Sequence, residues 1–298
     1  MKNNKIFTEA SGSIVSLSLI TILKKSNLNV TTSDITKWNP GAKFADDYVV
    51  VPKHNNPKLW KFLKRILKKK KIKWVIPSLD ETLKGWSDKR GEFSKYGINI
   101  IISPERTINT FVDKWKTYKA FINSGLPTPK TSLKKKFDLV KPRFGRGSKG
   151  IIFTKKKVKM KNYISQEKLK GLEITVDCLF DISGKPIYII PRIRNKVIDG
   201  KSVDSKIIKN KEINKFVKIL SNDFHFIGPI NIQCFLYKNK VKFTELNPRI
   251  AGGMALSWAG TENWFKLWFE KILKNKKFKK KKIKYGLSMN RYYSEIFY

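Results

Sequence analysis

The chain has 298 residues, 41% of them hydrophobic, with a mean hydropathy of -0.39, and its 64 basic residues against 23 acidic ones give a net charge of +41 and a pI near 10.1. That length buries a large core in two or three subdomains around one cleft, and no repeat of fixed period or long linker interrupts it. The charge would ordinarily point to nucleic acid or an anionic membrane, but only nine of the basic residues are arginines, so the lysine excess reads as a general compositional bias. The runs Lys68–Lys71, Lys134–Lys136, Lys155–Lys157 and Lys279–Lys282 then read as solvated faces or loops, with nonspecific polyanion binding expected only at low salt.

In chain order, Met1–Phe7 is a strand, Gly12 sits in a Ser-Gly-Ser turn, and Ser13–Leu23 is an amphipathic helix. Serines and a threonine interrupt that apolar run, so it is neither a signal peptide nor a membrane span. A second strand, Asn29–Ser33, ends at Asp34, but one glycine in place of three argues against a dinucleotide fingerprint. Trp74–Ser78 is predicted as a third strand, with Asp80 and Glu81 at the edge where open parallel sheets collect ligands, or simply at a helix N-terminus. Ser103 is expected to cap one long helix with Pro104 at its first position; Ile108, Phe111, Val112, Trp115, Tyr118 and Ile122 recur at helical spacing until Gly125.

Lys141-Pro142-Arg143-Phe144-Gly145-Arg146-Gly147-Ser148-Lys149-Gly150 lies between two strand-like stretches. Its glycines free backbone N–H groups to face an anion, and its cations add charge. It is not a Walker loop, because Gly-Lys-Ser/Thr is missing and a strand follows. Tyr163–Glu173 leads into the alternating strand Ile174–Phe180, which turns at Ser183-Gly184 into Ile187–Ile190. Ile230–Tyr237 and Val241–Leu246 flank the apex Lys238-Asn239-Lys240. A three-residue turn centred on Asn239 sets Gln233 opposite Glu245, with Asn247 projecting from the same face and Pro248 ending the ladder. Three hard oxygen donors there suit magnesium, although a solvated acidic hairpin tip is the plain alternative.

These segments, Asn231-Ile232-Gln233-Cys234-Phe235, the hairpin, and Glu245-Leu246-Asn247-Pro248-Arg249, resemble the metal-binding end of ATP-grasp ligases, above all the carbamoyl phosphate synthase large-subunit type. The resemblance is good from about Ser103 onward and loose before it. It implies an α/β chain, α+β in its C-terminal part: a Rossmann-like pre-ATP-grasp domain over 1–103 and an ATP-grasp domain over 104–298, with a smaller subdomain to about 164 and a larger one from about 165. It further implies ATP with two magnesium or manganese ions. Glu245 would bridge them, with Gln233 and Asn247 each completing one. Lys114 of the Asp113-Lys114 pair, Lys141, Arg146, Gly147, Ser148, Lys149 and Gly150 would hold phosphates. Glu167, Lys168 and Leu169 would flank the adenine, and Glu173 would reach the ribose or support the loop. Arg249 and Lys141 are the implied catalytic cations. Arg192, Arg194, the loop Asp199–Ser205, Lys206, Asp80 and Glu81 would face the acceptor. Many relatives carry a carboxylate where Gln233 stands, so one metal is expected to bind more weakly.

The implied reaction joins a small-molecule carboxylate to an amine through an acyl phosphate. A non-catalytic ATP-binding or regulatory protein is the alternative, and a nucleic-acid-binding protein is disfavoured for want of a motif. A cytoplasmic setting is expected from Cys178 and Cys234, which read as core residues with mutual contact left open. The isolated His54 and His225 support no zinc site. Oligomeric state is open, a homodimer included. The tail Gly286–Tyr293 resembles the closing strand of such proteins.

Overall fold

The computed structural model describes residues 4–13, 16–198, 200–292 and 294–297. Met1, Lys2 and Asn3 of the expected first strand, Ile14 and Val15 of the first helix, Asp199 of the acceptor-side loop and Tyr293 of the tail therefore lie outside the described residues. The chain folds as two compact units, one of residues 1–102, 261–282 and 292–298, the other of residues 103–260 and 283–291.

The first unit runs β1 (Lys5–Thr8), α1 (Ser16–Lys24), β2 (Asn29–Asp34), α2 (Pro40–Phe44), β3 (Asp47–Val50), α3 (Leu59–Lys69), β4 (Trp74–Ile76), α4 (Asp80–Asp88), α5 (Arg90–Ser94) and β5 (Asn99–Ile100). Every strand pairing is parallel and the order is β3-β2-β1-β4-β5, the open doubly wound arrangement whose strand order reverses between β1 and β4. Trp74–Ile76 is thus the fourth strand; the missed one, Asp47–Val50, is a short edge strand whose burial shows no clean alternation. Asp34 turns its carboxylate on local backbone, accepting from Gly12 N at 2.8 Å and Ile35 N at 2.7 Å. The crevice at the order reversal is filled from within. Glu9, just past β1, accepts from Thr82 Oγ1 at 3.0 Å, and its carbonyl accepts from Ser78 Oγ at 2.8 Å. Burial pushes the Glu9 carboxyl up to about 7, against the pull of donors from the Trp86 and Thr82 side chains and the Ser78 and Leu79 backbone. Asp80 and Glu81 occupy the first turn of α4. Segment 261–282 adds α10 (Trp264–Leu267) and a π-helical turn, Trp268–Ile272.

The second unit begins with α6 (Glu105–Phe111) and α7 (Lys114–Asn123), where one long helix was expected. Asp113 breaks it: its backbone is extended, and its side chain caps α7 by accepting from Trp115 N at 2.9 Å. Ser103 does not cap α6, since its hydroxyl accepts instead from Ile227 N at 3.1 Å. A small antiparallel sheet follows, built of β6 (Thr131–Ser132), β7 (Leu139–Pro142), β8 (Ile152–Phe153) and β9 (Tyr163–Gln166) in the order β6-β9-β7-β8. The larger sheet holds β10 (Leu172–Phe180), β11 (Pro186–Ile198), β12 (Lys201–Ile207), β13 (Gly228–Tyr237), β14 (Lys240–Asn247) and β15 (Ser288–Asn290), ordered β14-β13-β10-β11-β12-β15. Helix α8 (Lys211–Asp223) packs on it through Ile213, Val217 and Leu220, and α9 (Met254–Ala259) follows the last long strand. Lys201–Ser205, expected as a loop, is strand, because β11 and β12 form one continuous antiparallel ribbon. Cys178 and Cys234 are buried and unbonded on neighbouring strands, their thiols pushed up by burial. Among the described residues no helix is long and apolar enough to cross a membrane.

Candidate nucleotide and metal site

The β13–β14 hairpin reaches the expected register by an unexpected route. Its turn has two residues, Lys238 and Asn239, both left-handed at φ 46° and 62°, so Tyr237 faces Lys240. Carried down the ladder, that register would put Glu245 out of step. One extra residue between Phe243 and Glu245 restores it: Cys234 faces Phe243, while Gln233 faces Glu245 and Asn231 faces Asn247. The bulge is pinned from outside the sheet, with Phe243 N donating to Pro127 O at 2.7 Å and Thr128 Oγ1 donating to Phe243 O at 2.9 Å. Leu126–Thr128, the exit from α7, thereby helps aim the Glu245 side chain.

Gln233, Thr244 and Glu245 line one wall of a cavity of about 280 Å³ whose other walls are Lys114, Leu139, Lys141, Pro142, the loop Phe144–Lys149, Ile151, Phe153, Gln166, Glu173, Arg194, Gly200 and Phe235. Lys141 stands on β7, where period-two alternation sends Val140 to the core and turns its neighbours the other way. Burial, reinforced by Lys114 and opposed by the Glu245 carboxylate, lowers Lys141 to about 8. The loop between β7 and β8 holds Gly145, Gly147, Ser148 and Gly150 in left-handed backbone, which only glycine adopts without strain at three of these positions. Its base is tied to α7: Lys114 N donates to Arg143 O at 2.9 Å, Arg143 Nε to Asp113 Oδ1 at 3.1 Å, and Lys114 Nζ to Gly145 O at 2.7 Å.

Of the residues proposed from sequence, Lys114, Lys141, Arg146, Gly147, Ser148, Lys149, Glu173, Arg194, Gln233 and Glu245 come together on this cavity. Gly150, Glu167, Lys168 and Leu169 are not among its lining residues. The Glu167 carboxylate is held down by Lys242, at 3.0 Å, and accepts from Lys130 N at 3.2 Å, while Lys168 Nζ stacks 5.2 Å over the Phe153 ring. Glu173 pairs with Arg194, which also donates to Gly200 O at 2.7 Å, so this carboxylate supports the β11–β12 hairpin. Asn247 and Arg249 are not among the lining residues either: Asn247 lies two residue pairs farther along, 7% exposed, and Arg249 Nη1 donates to Ile250 O at 2.8 Å.

Arg192 departs most from its expected acceptor role. It is 2% exposed and clamped to Asp177, itself fully buried, through Nε at 2.8 Å and Nη2 at 3.3 Å, with Nη1 on Ser205 Oγ at 3.2 Å. Asp177 also accepts from Asn231 Nδ2 and Ser257 Oγ, each at 2.7 Å. A Cβ on Gly253 would fall 2.1 Å from Arg192 Nη2, so the bare backbone of Gly253 is what lets this guanidinium sit there. Lys206 is an exposed residue on β12, and Asp80 and Glu81 belong to the other unit.

Sequence reasoning missed Phe144, Phe153 and Phe235, three rings that give the cavity an apolar face suited to a base. Phe153 and Phe144 are 61% and 50% exposed, an unusual state for phenyl rings. The legible signal was the antiparallel pairing of Leu139 with Phe153, which places both side chains on the face that carries Lys141. Among the described residues no three of His, Cys, Asp or Glu gather as a metal cluster. The donor set here, one carboxylate and amide oxygens beside a cationic loop, is what magnesium accepts when phosphates supply the remaining oxygens.

Residues 159–294 match the family described as ATP-grasp in the biosynthetic pathway with Ter operon, and residues 12–101 match the PylC-like N-terminal domain. No curated protein matches the sequence. Among solved structures, the biotin carboxylase domain of Hydrogenobacter thermophilus 2-oxoglutarate carboxylase, in complex with MgADP, ADP and bicarbonate, superposes with a TM-score of 0.73 at 14% identity, over 96% of this chain and 73% of that one. The ADP complex of PurK, an N5-carboxyaminoimidazole ribonucleotide synthetase, gives 0.72 at 14% identity over 94% and 79%. Rhizobium etli pyruvate carboxylase gives 0.70 at 14% identity over 87% of this chain, which spans only 27% of that much longer protein.

Proposed function

For a chain that is an ATP-grasp protein with a PylC-like N-terminal domain, we propose the function of an ATP-dependent carboxylate–amine ligase that makes ADP, phosphate and an amide by way of an acyl phosphate. One observation carries this reading: Lys114, Lys141, the cationic glycine loop and the Gln233–Glu245 pair line a single cavity beside an apolar wall. A triphosphate laid against Lys141 and the loop would have its base along Phe153 and Phe235 and its terminal phosphate toward Glu245. Magnesium, held by Glu245 with Gln233 and Asn247, would supply charge neutralisation at the transferred phosphoryl group.

The protein's own residues position and neutralise. Lys141, buried and lowered to about 8, gains a stable charge once phosphate faces it, and Lys114 can exchange the Gly145 carbonyl for a phosphate oxygen. The acceptor carboxylate attacks the terminal phosphorus and ADP departs; the amine then attacks the acyl carbon and phosphate departs. Neither step asks for a side-chain nucleophile, so catalysis rests on proximity and preorganised charge. Arg249, two residues past Asn247, is the cation assigned to the reacting oxygens. The acceptors are small molecules, in keeping with a biosynthetic family and with the carboxylase and ligase neighbours.

The test is ADP release by the purified protein with magnesium and ATP, against pools of amino acids, dipeptides and small carboxylates, with Glu245→Ala alongside. Stimulation by one pool that vanishes in the variant supports the ligase. Absence of magnesium-dependent ATP binding by calorimetry would sink the reading altogether.

A further inference from the structure

We propose that the lysine run at residues 274–282 is a docking surface for an anionic lipid bilayer. The inference is independent of the ligase chemistry. Lysine fills seven of these nine positions, whereas it makes up fewer than one residue in five of the whole chain, so a uniform compositional bias does not account for the cluster. No acidic residue interrupts it. All nine residues are exposed, and Phe278 among them leaves 37% of its surface to solvent.

The base of the run is anchored while the rest is open. Trp268, Phe269 and Ile272 of the π-helical turn are buried, and the Phe269 ring meets Trp74 edge-on at 5.2 Å. Lys276 N then closes onto Lys271 O at 2.9 Å, after which 277–282 forms neither helix nor strand. Lys281 N reaches Glu262 Oε1 at 3.3 Å, which holds the run along its own unit. A chain fixed at its root and presenting clustered ammonium groups around one phenyl ring matches what a charged lipid interface takes up: point charges against headgroups and an aromatic ring at the headgroup level. Ordered phosphate or base recognition selects arginine forks, and the run contains none. A bilayer surface demands charge density without fixed geometry, which lysine supplies.

The experiment is co-sedimentation of the full chain, at about 150 mM salt, with phosphatidylcholine vesicles and with vesicles containing roughly 30% phosphatidylserine. Three proteins are compared: the parent, the variant K277N/K279N/K280N/K282N, and a control of equal charge loss, K155N/K156N/K157N/K159N, whose four lysines are also exposed. Thermal melts establish that both variants fold as the parent does. The expected result is pelleting of the parent with anionic vesicles only, a loss of roughly tenfold or more in partition for the first variant, and a loss under about threefold for the control. Phe278→Ala should weaken partition while leaving the net charge untouched. Equal losses in the two charge variants would overturn the proposal, as would no pelleting of the parent. Tighter binding to a single-stranded oligonucleotide through these same lysines would also overturn it, assigning the run to nucleic acid instead.

Discussion

Two stretches of one sheet, a few residues apart, use the same kinds of side chain to opposite ends. At the sealed stretch, Asp177 of β10 and Arg192 of β11 are buried, with Asn231, Ser205 and Ser257 meeting their remaining hydrogen-bonding needs. At the open stretch, Glu173 and Arg194 of the same two strands, with Gln233 and Glu245 beyond, line the cavity. Arg192 and Arg194 are two residues apart, share a face, and were read alike from sequence. What separates them is the partner: both arginine side chains are covered, but Asp177 is fully buried whereas Glu173 keeps 31% of its side chain exposed at the cavity wall, so only the second pair can exchange partners with a ligand. Charge type therefore says little about role until the neighbours that cover it are known.

Removing one member of the sealed pair should do the most damage. Arg192→Ala leaves the buried Asp177 without its cation, and a loss of about 3–5 kcal/mol in chemical denaturation is expected. Arg194→Ala should cost clearly less, because its partner Glu173 stays 31% exposed and can be solvated, and should act chiefly on nucleotide affinity. If the two variants proved equally stable, the contrast would be wrong. Next in size, Glu245→Ala should weaken magnesium-dependent nucleotide binding by roughly a hundredfold in calorimetry, with denaturation little changed. A smaller effect concerns pH at the open stretch. Lys141 is lowered to about 8 in the free protein, and bound phosphates raise it again, so binding takes up a proton above that pH. Affinity should be highest below pH 8 and fall by up to about tenfold per unit above it, and Lys141→Arg should flatten this slope. A flat profile in the parent would remove Lys141 from the phosphate site.

A further effect belongs to the other unit and serves as its counterpart of a sealed charge. Glu9 is raised to about 7, above its ordinary 4.5, so the stability it lends is present below about pH 4.5 and lost as pH climbs through 7. Glu9→Gln should therefore gain roughly 2–3 kcal/mol on the parent between pH 5 and pH 8, read by denaturation at both values.

Local chemistry made much of this legible in the sequence. The glycine loop and the strand–helix alternation of the first unit each follow from turn residues and periodicity within about fifteen positions; the Gln233–Glu245 pairing was expected from a three-residue turn and is reached instead by a two-residue turn and a bulge. What escaped depends on distant partners. Nothing near Asp113 announces that it will break a helix, because that role is shared with Arg143, thirty residues on. Nor does anything around Arg192 show that Asp177, Ser205 and Gly253 will enclose it. The short edge strand Asp47–Val50 escaped instead for a local reason, since four residues without clean alternation carry little periodic signal.

The bulge in β14 also bears on how this hairpin can vary. A three-residue turn on an unbroken ladder and a two-residue turn with one extra residue both bring Gln233 to face Glu245, so the two designs are interchangeable at the working end. A chain that gains a residue at the apex and sheds Thr244 keeps its ligands in place, whereas either change alone swings the carboxylate to the wrong side of the sheet. In sequences built on this plan, a gap at the apex and a gap near the carboxylate should come and go together.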